Sequence, residues 1–92
     1  MYNILPYTKE KALVLGVIVK PSTRKNKKID VFSKSNEYIA SIGALGYGDY
    51  PTFQKLYGKE FADKKRILYK KRHQKDRTIK FSNGWYADNL LW

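Results

Sequence analysis

The sequence contains no cysteine and a single histidine, His73. Disulfides are therefore excluded, and so are zinc sites that need thiolates or several imidazoles. Small secreted domains usually depend on such cross-links, so their absence favours a reducing compartment, the cytosol or the nucleus. The eight Asp and Glu residues are scattered singly and offer no carboxylate cluster for the divalent cation of a nuclease. We therefore expect no metal or other cofactor, and a protein that is not an enzyme.

Long hydrophobic runs are also missing. The longest, residues 12–19, has eight residues, whereas a membrane-spanning helix needs about 20. The N-terminal segment lacks the basic start of a signal peptide, and Pro6 and the charged residues 9–11 precede its apolar run. We expect a soluble protein without membrane contact, located inside a cell or packaged in an assembly.

What the sequence does have is positive charge. Nineteen Lys and Arg against eight Asp and Glu give a net charge of +11. A hydrophobic content of 42% and an aromatic content of 15% argue against a disordered basic tail, and the length of 92 residues indicates one domain, 1–92. Self-repulsion at this charge destabilises an isolated compact chain, so a polyanionic partner is expected, nucleic acid first. A basic surface that only keeps the protein in solution is the alternative.

Hydrophobic patterns of period two predict a three-stranded antiparallel meander after an irregular N-terminal arm, residues 1–10. Residues 11–20 are apolar on both alternating faces, which indicates a covered strand with a bulge at Gly16. Residues 27–33 and 37–43 alternate between apolar and polar side chains and predict the second and third strands.

After a glycine-rich loop the pattern becomes helical. A helix is predicted over residues 59–73. Its buried stripe is expected at Tyr57, Phe61 and Leu68. A last short helix, residues 85–92, is expected to be capped by Asn83 and to bury Trp92. The expected fold class is α+β, with an N-terminal arm (1–10), a β-meander (11–43), a glycine-rich loop and turn (44–58), and a part with two or three helices (59–92).

The basic residues concentrate in two segments. Residues 20–34 carry six of them and residues 59–80 carry ten, whereas the remainder of the chain is close to neutral. Such arrays suit a phosphate backbone, because each neutralised phosphate releases counterions. Lys outnumbers Arg fifteen to four, and since Arg is the main bidentate reader of guanine, little sequence preference is expected. A solvated helix face is the alternative for the second segment. The predicted contacts to nucleic acid are Arg24, Lys25, Lys27, Lys28, Lys59, Arg66, Lys70, Lys71, Lys75 and Arg77.

Two tyrosines of the glycine-rich region, Tyr47 and Tyr50, are candidates for stacking on unpaired bases, because the glycines around them leave few core neighbours. The glycines themselves, Gly43, Gly46 and Gly48, match a nucleotide-binding loop only in number. The Lys-Ser/Thr ending of a phosphate-binding loop is missing.

Three motifs of the second half resemble a known group of proteins. They are a Gly-Tyr-x-Asp-Tyr loop in IGALGYGDYP (42–51), a Tyr-x-x-Arg-His helix end in YKKRHQKDR (69–77), and a Leu-Leu-Trp terminus in GWYADNLLW (84–92). The resemblance is to small basic proteins of uncharacterised function encoded by nucleocytoplasmic large DNA viruses, the giant-virus group. It implies a viral origin and a place in the virion or on the genome, in the nucleus or cytoplasm of a host cell. It transfers no reaction.

Two functional hypotheses follow. The first is a non-catalytic viral protein that binds the phosphate backbone of nucleic acid, DNA more than RNA, with little sequence preference. The second is a minor capsid or scaffold protein whose basic faces dock on acidic surfaces of neighbouring subunits in a virion. Either role is compatible with an oligomer.

Overall fold

In chain order, one helix precedes a three-stranded antiparallel sheet and four helices follow it. The computed structural model describes residues 2–92. The elements in chain order are α1 (Pro6–Leu15), β1 (Ile18–Pro21), β2 (Lys27–Phe32), β3 (Tyr38–Ala44), α2 (Tyr50–Tyr57), α3 (Lys59–Arg72), α4 (Gln74–Thr78) and α5 (Asn83–Leu91). The predicted α+β class, a small antiparallel meander followed by helices, is confirmed.

Helix α1 occupies ten of the twenty residues that were expected to be an arm and a strand. Pro6 suits the first turn because its fixed φ fits the helix and because the N–H that proline lacks would have no partner within the helix there. Gly16 ends the helix in the left-handed conformation, with φ of 80°, and its N–H bonds to carbonyls one turn back. The irregular arm is found only at residues 2–5, with residue 1 outside the described residues, and the predicted strand over 11–20 is wrong except at residues 18–20, which belong to β1. Gly16 is a helix cap and not a bulge.

The sheet has β2 at its centre, paired antiparallel with β1 and with β3. The register sets Ile29 opposite Ile42 and Val31 opposite Ala40. All four side chains are buried and form the floor of the core, against which Leu90 and Leu91 of α5 also lie buried. The predicted second and third strands are confirmed to within one residue at each end.

Helix α3 is present as predicted, but its buried side differs from the expectation. Tyr57, Phe61 and Leu68 are exposed, by 62%, 38% and 54% of their surface, whereas Ala62 and Tyr69 are buried. The helix is rich in charge and inserts only these two residues, seven apart, into the core. The predicted stripe was displaced by one position around the helix.

Helix α5 closes the fold as expected, with one change at its start. Ser82 caps it by accepting a hydrogen bond from the Trp85 N–H at 3.2 Å, so Asn83 is the first helical residue and not the cap. The terminal Trp92 is buried, and its ring stacks on Tyr69 with centroids 4.2 Å apart. Among residues 2–92 there is no helix with the length and apolar character to cross a membrane.

Candidate nucleic-acid interface

A buried ion pair holds the end of the glycine-rich loop against the sheet. The Lys28 ammonium lies 2.9 Å from the Asp49 carboxylate, and the two side chains are 5% and 1% exposed. Asp49 also caps α2, accepting from the Thr52 N–H at 3.0 Å, and accepts from the Tyr2 hydroxyl. Burial first, and then the hydrogen bond to Asp49, raise the pKa of Tyr2. The prediction that Lys28 contacts nucleic acid is wrong, because its ammonium group is buried and paired with the Asp49 carboxylate.

Tyr50 belongs to a second internal network and is not available for stacking. It is 4% exposed, and its hydroxyl donates to the Asp63 carboxylate at 2.8 Å. Burial and this hydrogen bond raise the pKa of Tyr50. The Arg66 guanidinium covers the ring at 3.5 Å from the centroid, and Lys59 donates to Asp63 at 2.9 Å. The stacking prediction for Tyr50 is therefore wrong. Of two predicted phosphate contacts, Arg66 is half-buried against Tyr50, whereas Lys59 pairs with Asp63 at the surface and is 73% exposed.

Lys70 and Arg77 share one carboxylate. Their nitrogens lie 2.9 Å and 4.0 Å from Asp88, and Arg77 also donates to the Lys70 carbonyl. Asp88 thus neutralises part of this charge and fixes α4 to α5. Both residues are half-buried.

Most of the positively charged side chains have no carboxylate partner. Within residues 2–92, four of the nineteen Lys and Arg have a carboxylate within 4 Å, and the other fifteen do not. Five of the predicted contacts belong to this larger group and are exposed: Arg24, Lys25, Lys27, Lys71 and Lys75. Arg24 lies over the Tyr38 ring, 4.7 Å from its centroid, in the turn between β1 and β2.

Both basic segments of the sequence contribute a residue to one cavity, and the residue from the second segment is Arg72, on the last turn of α3. A cavity of about 550 Å³ between the glycine-rich loop, β3, α3 and α5 is lined by both Lys27 and Arg72. Arg72 also lines a second cavity with Lys65, and a third with Lys71 and Lys75. These five residues form the surface that we call the basic groove: Lys27, Lys65, Lys71, Arg72 and Lys75.

Aromatic rings form one wall of the groove. Trp92, Tyr69 and His73 make a continuous stack, with Tyr69–Trp92 and Tyr69–His73 centroids 4.2 Å and 4.5 Å apart. Burial, and then the nearby Asp88 and Asp76 carboxylates, raise the pKa of Tyr69 to about 12. Tyr47 is 77% exposed and lines both the 550 Å³ cavity and the cavity with Lys65. Of the two stacking candidates, only Tyr47 is placed where a base could reach it.

No protein-family model, curated protein or solved structure matches this chain.

Sequence reasoning missed Lys65 and Arg72 as members of the site. A signal was present, because the two residues are seven apart and so lie on one face of α3, with Leu68 and Tyr69 between them. The outer residues of the β1–β2 turn, Arg24 and Lys25, do not line any of the three cavities. His73 and Asp76 approach to 3.6 Å, but residues 2–92 hold no group of three or more acidic or histidine side chains suited to a metal ion.

Proposed function

We propose that this chain is a non-catalytic nucleic-acid-binding protein that contacts the phosphate backbone through the basic groove, with little sequence preference. The observation that carries the proposal is that Lys27 and Arg72 line one cavity, and that none of the groove's five cations has a carboxylate within 4 Å in the described chain. A polyanion is the partner that such a surface would neutralise.

The composition of the groove supports backbone contact over base reading. Four of its five cations are lysines, which act as flexible point charges on phosphate. Only Arg72 has the planar fork that reads guanine in a bidentate manner. We propose DNA as the preferred nucleic acid. The resemblance to basic proteins of giant viruses supports a viral origin and a place on the genome or in the virion.

The second candidate, a minor capsid or scaffold protein that docks on acidic protein surfaces, is favoured by a different observation. Leu13 and Val14 on α1 are 80% and 91% exposed, and Ile67 on α3 is 65% exposed. Aliphatic side chains on the outside of a small domain are typical of a protein interface when they form a patch. This candidate predicts no affinity for free DNA.

The test is binding to two unrelated duplex DNA sequences of the same length. Arg72→Ala should weaken binding to both sequences by the same factor, because a phosphate contact is lost and no base contact. Lys9→Ala is the matched control, since Lys9 is exposed, lies on α1 and lines none of the three cavities. Absence of binding by the unmodified protein rejects the proposal and favours the docking role.

A further inference from the structure

We infer that the 550 Å³ cavity receives one unpaired base of a single-stranded nucleic acid, an inference that rests on the proposed function and names the ligand of one part of the groove. The cavity lies where the glycine-rich loop faces the C-terminal end of α3 and the start of α5. Its volume is within the range of about 300–1,000 Å³ that is usual for ligand pockets.

The walls suit a flat aromatic ring. Tyr69 and Trp92 are buried and line the cavity, but Trp92 and His73 stack on the two faces of the Tyr69 ring, so Tyr69 offers only its edge. Tyr47 borders it on the outer side, exposed on a loop between Gly46 and Gly48. Gly46 has a φ of 91° and no heavy atom near its open side, so the loop carries Tyr47 without packing restraint from that position. A base on the exposed ring of Tyr47 would gain stacking that is indifferent to its identity.

Both exposed and buried polar groups line the cavity, and the buried ones are Lys28 and Ser41. Lys27 and Arg72 place positive charge at the mouth, where the phosphates that flank an inserted base would lie. His73 and Asn83 also line the cavity and offer hydrogen bonds to the edge of a base. An apolar interior with a few polar groups and a cationic mouth matches a nucleotide more closely than an acidic peptide, whose charged side chains carry no flat ring.

Only an unpaired base can enter. A base within a duplex is stacked between its neighbours and must be extruded, at a cost of a few kcal/mol. The inference therefore predicts that single strands gain a contact that duplexes lack. Binding to the phosphate backbone alone includes no such contact with a base.

The experiment compares two fluorescently labelled oligomers of eight nucleotides, one of thymidylate and one in which every base is replaced by an abasic residue. The two carry the same phosphates, so the ratio of their affinities isolates the bases. We expect the thymidylate oligomer to bind about 5- to 150-fold more tightly, the range for one stacked base. Tyr47→Ala should bring the ratio towards one and leave the affinity for the abasic oligomer unchanged. Tyr57→Ala, a control at a tyrosine that is 62% exposed and lines none of the three cavities, should keep the ratio.

A second readout follows Trp92 directly. In Trp85→Phe the fluorescence comes from Trp92 alone, because the chain has two tryptophans and Trp85 does not line the cavity. Thymidylate should quench this emission and the abasic oligomer should not. Equal affinities for the two oligomers, or an unchanged ratio in Tyr47→Ala, overturn the base pocket and leave backbone binding intact. Failure of both oligomers and of the two duplexes to bind overturns the proposed function itself.

Discussion

Replacing Lys28 by methionine tests whether this lysine stabilises the fold and does not bind nucleic acid. The substitution keeps the length and the apolar stem of the side chain but leaves the buried Asp49 carboxylate without its cation. Two neutral donors remain, the Tyr2 hydroxyl and the Thr52 N–H. Breaking a buried ion pair on one side costs about 3–5 kcal/mol, and a domain of this size has a total stability of about 5–15 kcal/mol. Urea denaturation should show the midpoint lowered by about 2 M or more.

The controls for this prediction are a double variant and a neighbouring lysine. Lys28→Met with Asp49→Asn removes both charges, and Asn still caps α2, so most of the lost stability should return. Lys27→Ala should leave the free energy of unfolding nearly unchanged and weaken DNA binding, because Lys27 is exposed at the groove. A loss below about 1 kcal/mol in Lys28→Met, or a double variant no more stable than the single one, would refute the reasoning.

Three further predictions concern the fold. Gly43→Ala should destabilise the protein by about 1–3 kcal/mol, because φ is 76° and a Cβ would lie 2.8 Å from Leu91; Gly46→Ala, at φ of 91° with open space, should cost less. Burial alone would raise the pKa of Asp30, but hydrogen bonds from two serine hydroxyls and a backbone N–H outweigh it and lower that pKa. The contribution of the Asp30 carboxylate to the free energy of unfolding is therefore complete above the unfolded pKa near 4 and is lost as pH falls through the folded pKa. Asp30→Asn should make the free energy of unfolding less dependent on pH in the acid range. In an alkaline absorbance titration, three tyrosines with raised pKa values should stay protonated above a pH of about 10: Tyr2, Tyr50 and Tyr69. The free energy of unfolding should fall as the pH rises through the folded pKa values of these tyrosines.

The parts of the fold that could be predicted are those with a clear hydrophobic period. Helix α5 buries Tyr86, Leu90 and Leu91 on one face, and that spacing is readable in the sequence. Residues 11–20 could not be assigned in this way, because a short run that is apolar all round fits a strand or a helix equally well. The deciding features were Pro6 at the start and the left-handed Gly16 at the end.

For the site, charge density could be predicted but side-chain pairing could not. The two basic segments were evident from composition, and Lys27 lines the same cavity as Arg72. Lys28 differs from Lys27 only in pointing to the other side of β2, and its partner Asp49 is 21 residues further along the chain. Such a pairing depends on how the loop after β3 returns to the sheet, which no local pattern encodes.

The most direct test of backbone binding is the dependence of DNA affinity on salt. If the five cations of the basic groove each neutralise a phosphate of duplex DNA, log K should fall against log salt with a slope of about −4 to −5. Arg72→Ala should make the slope shallower by about 1, and Lys28→Met should leave it unchanged wherever that variant is folded. A slope near zero for the unmodified protein would contradict the account.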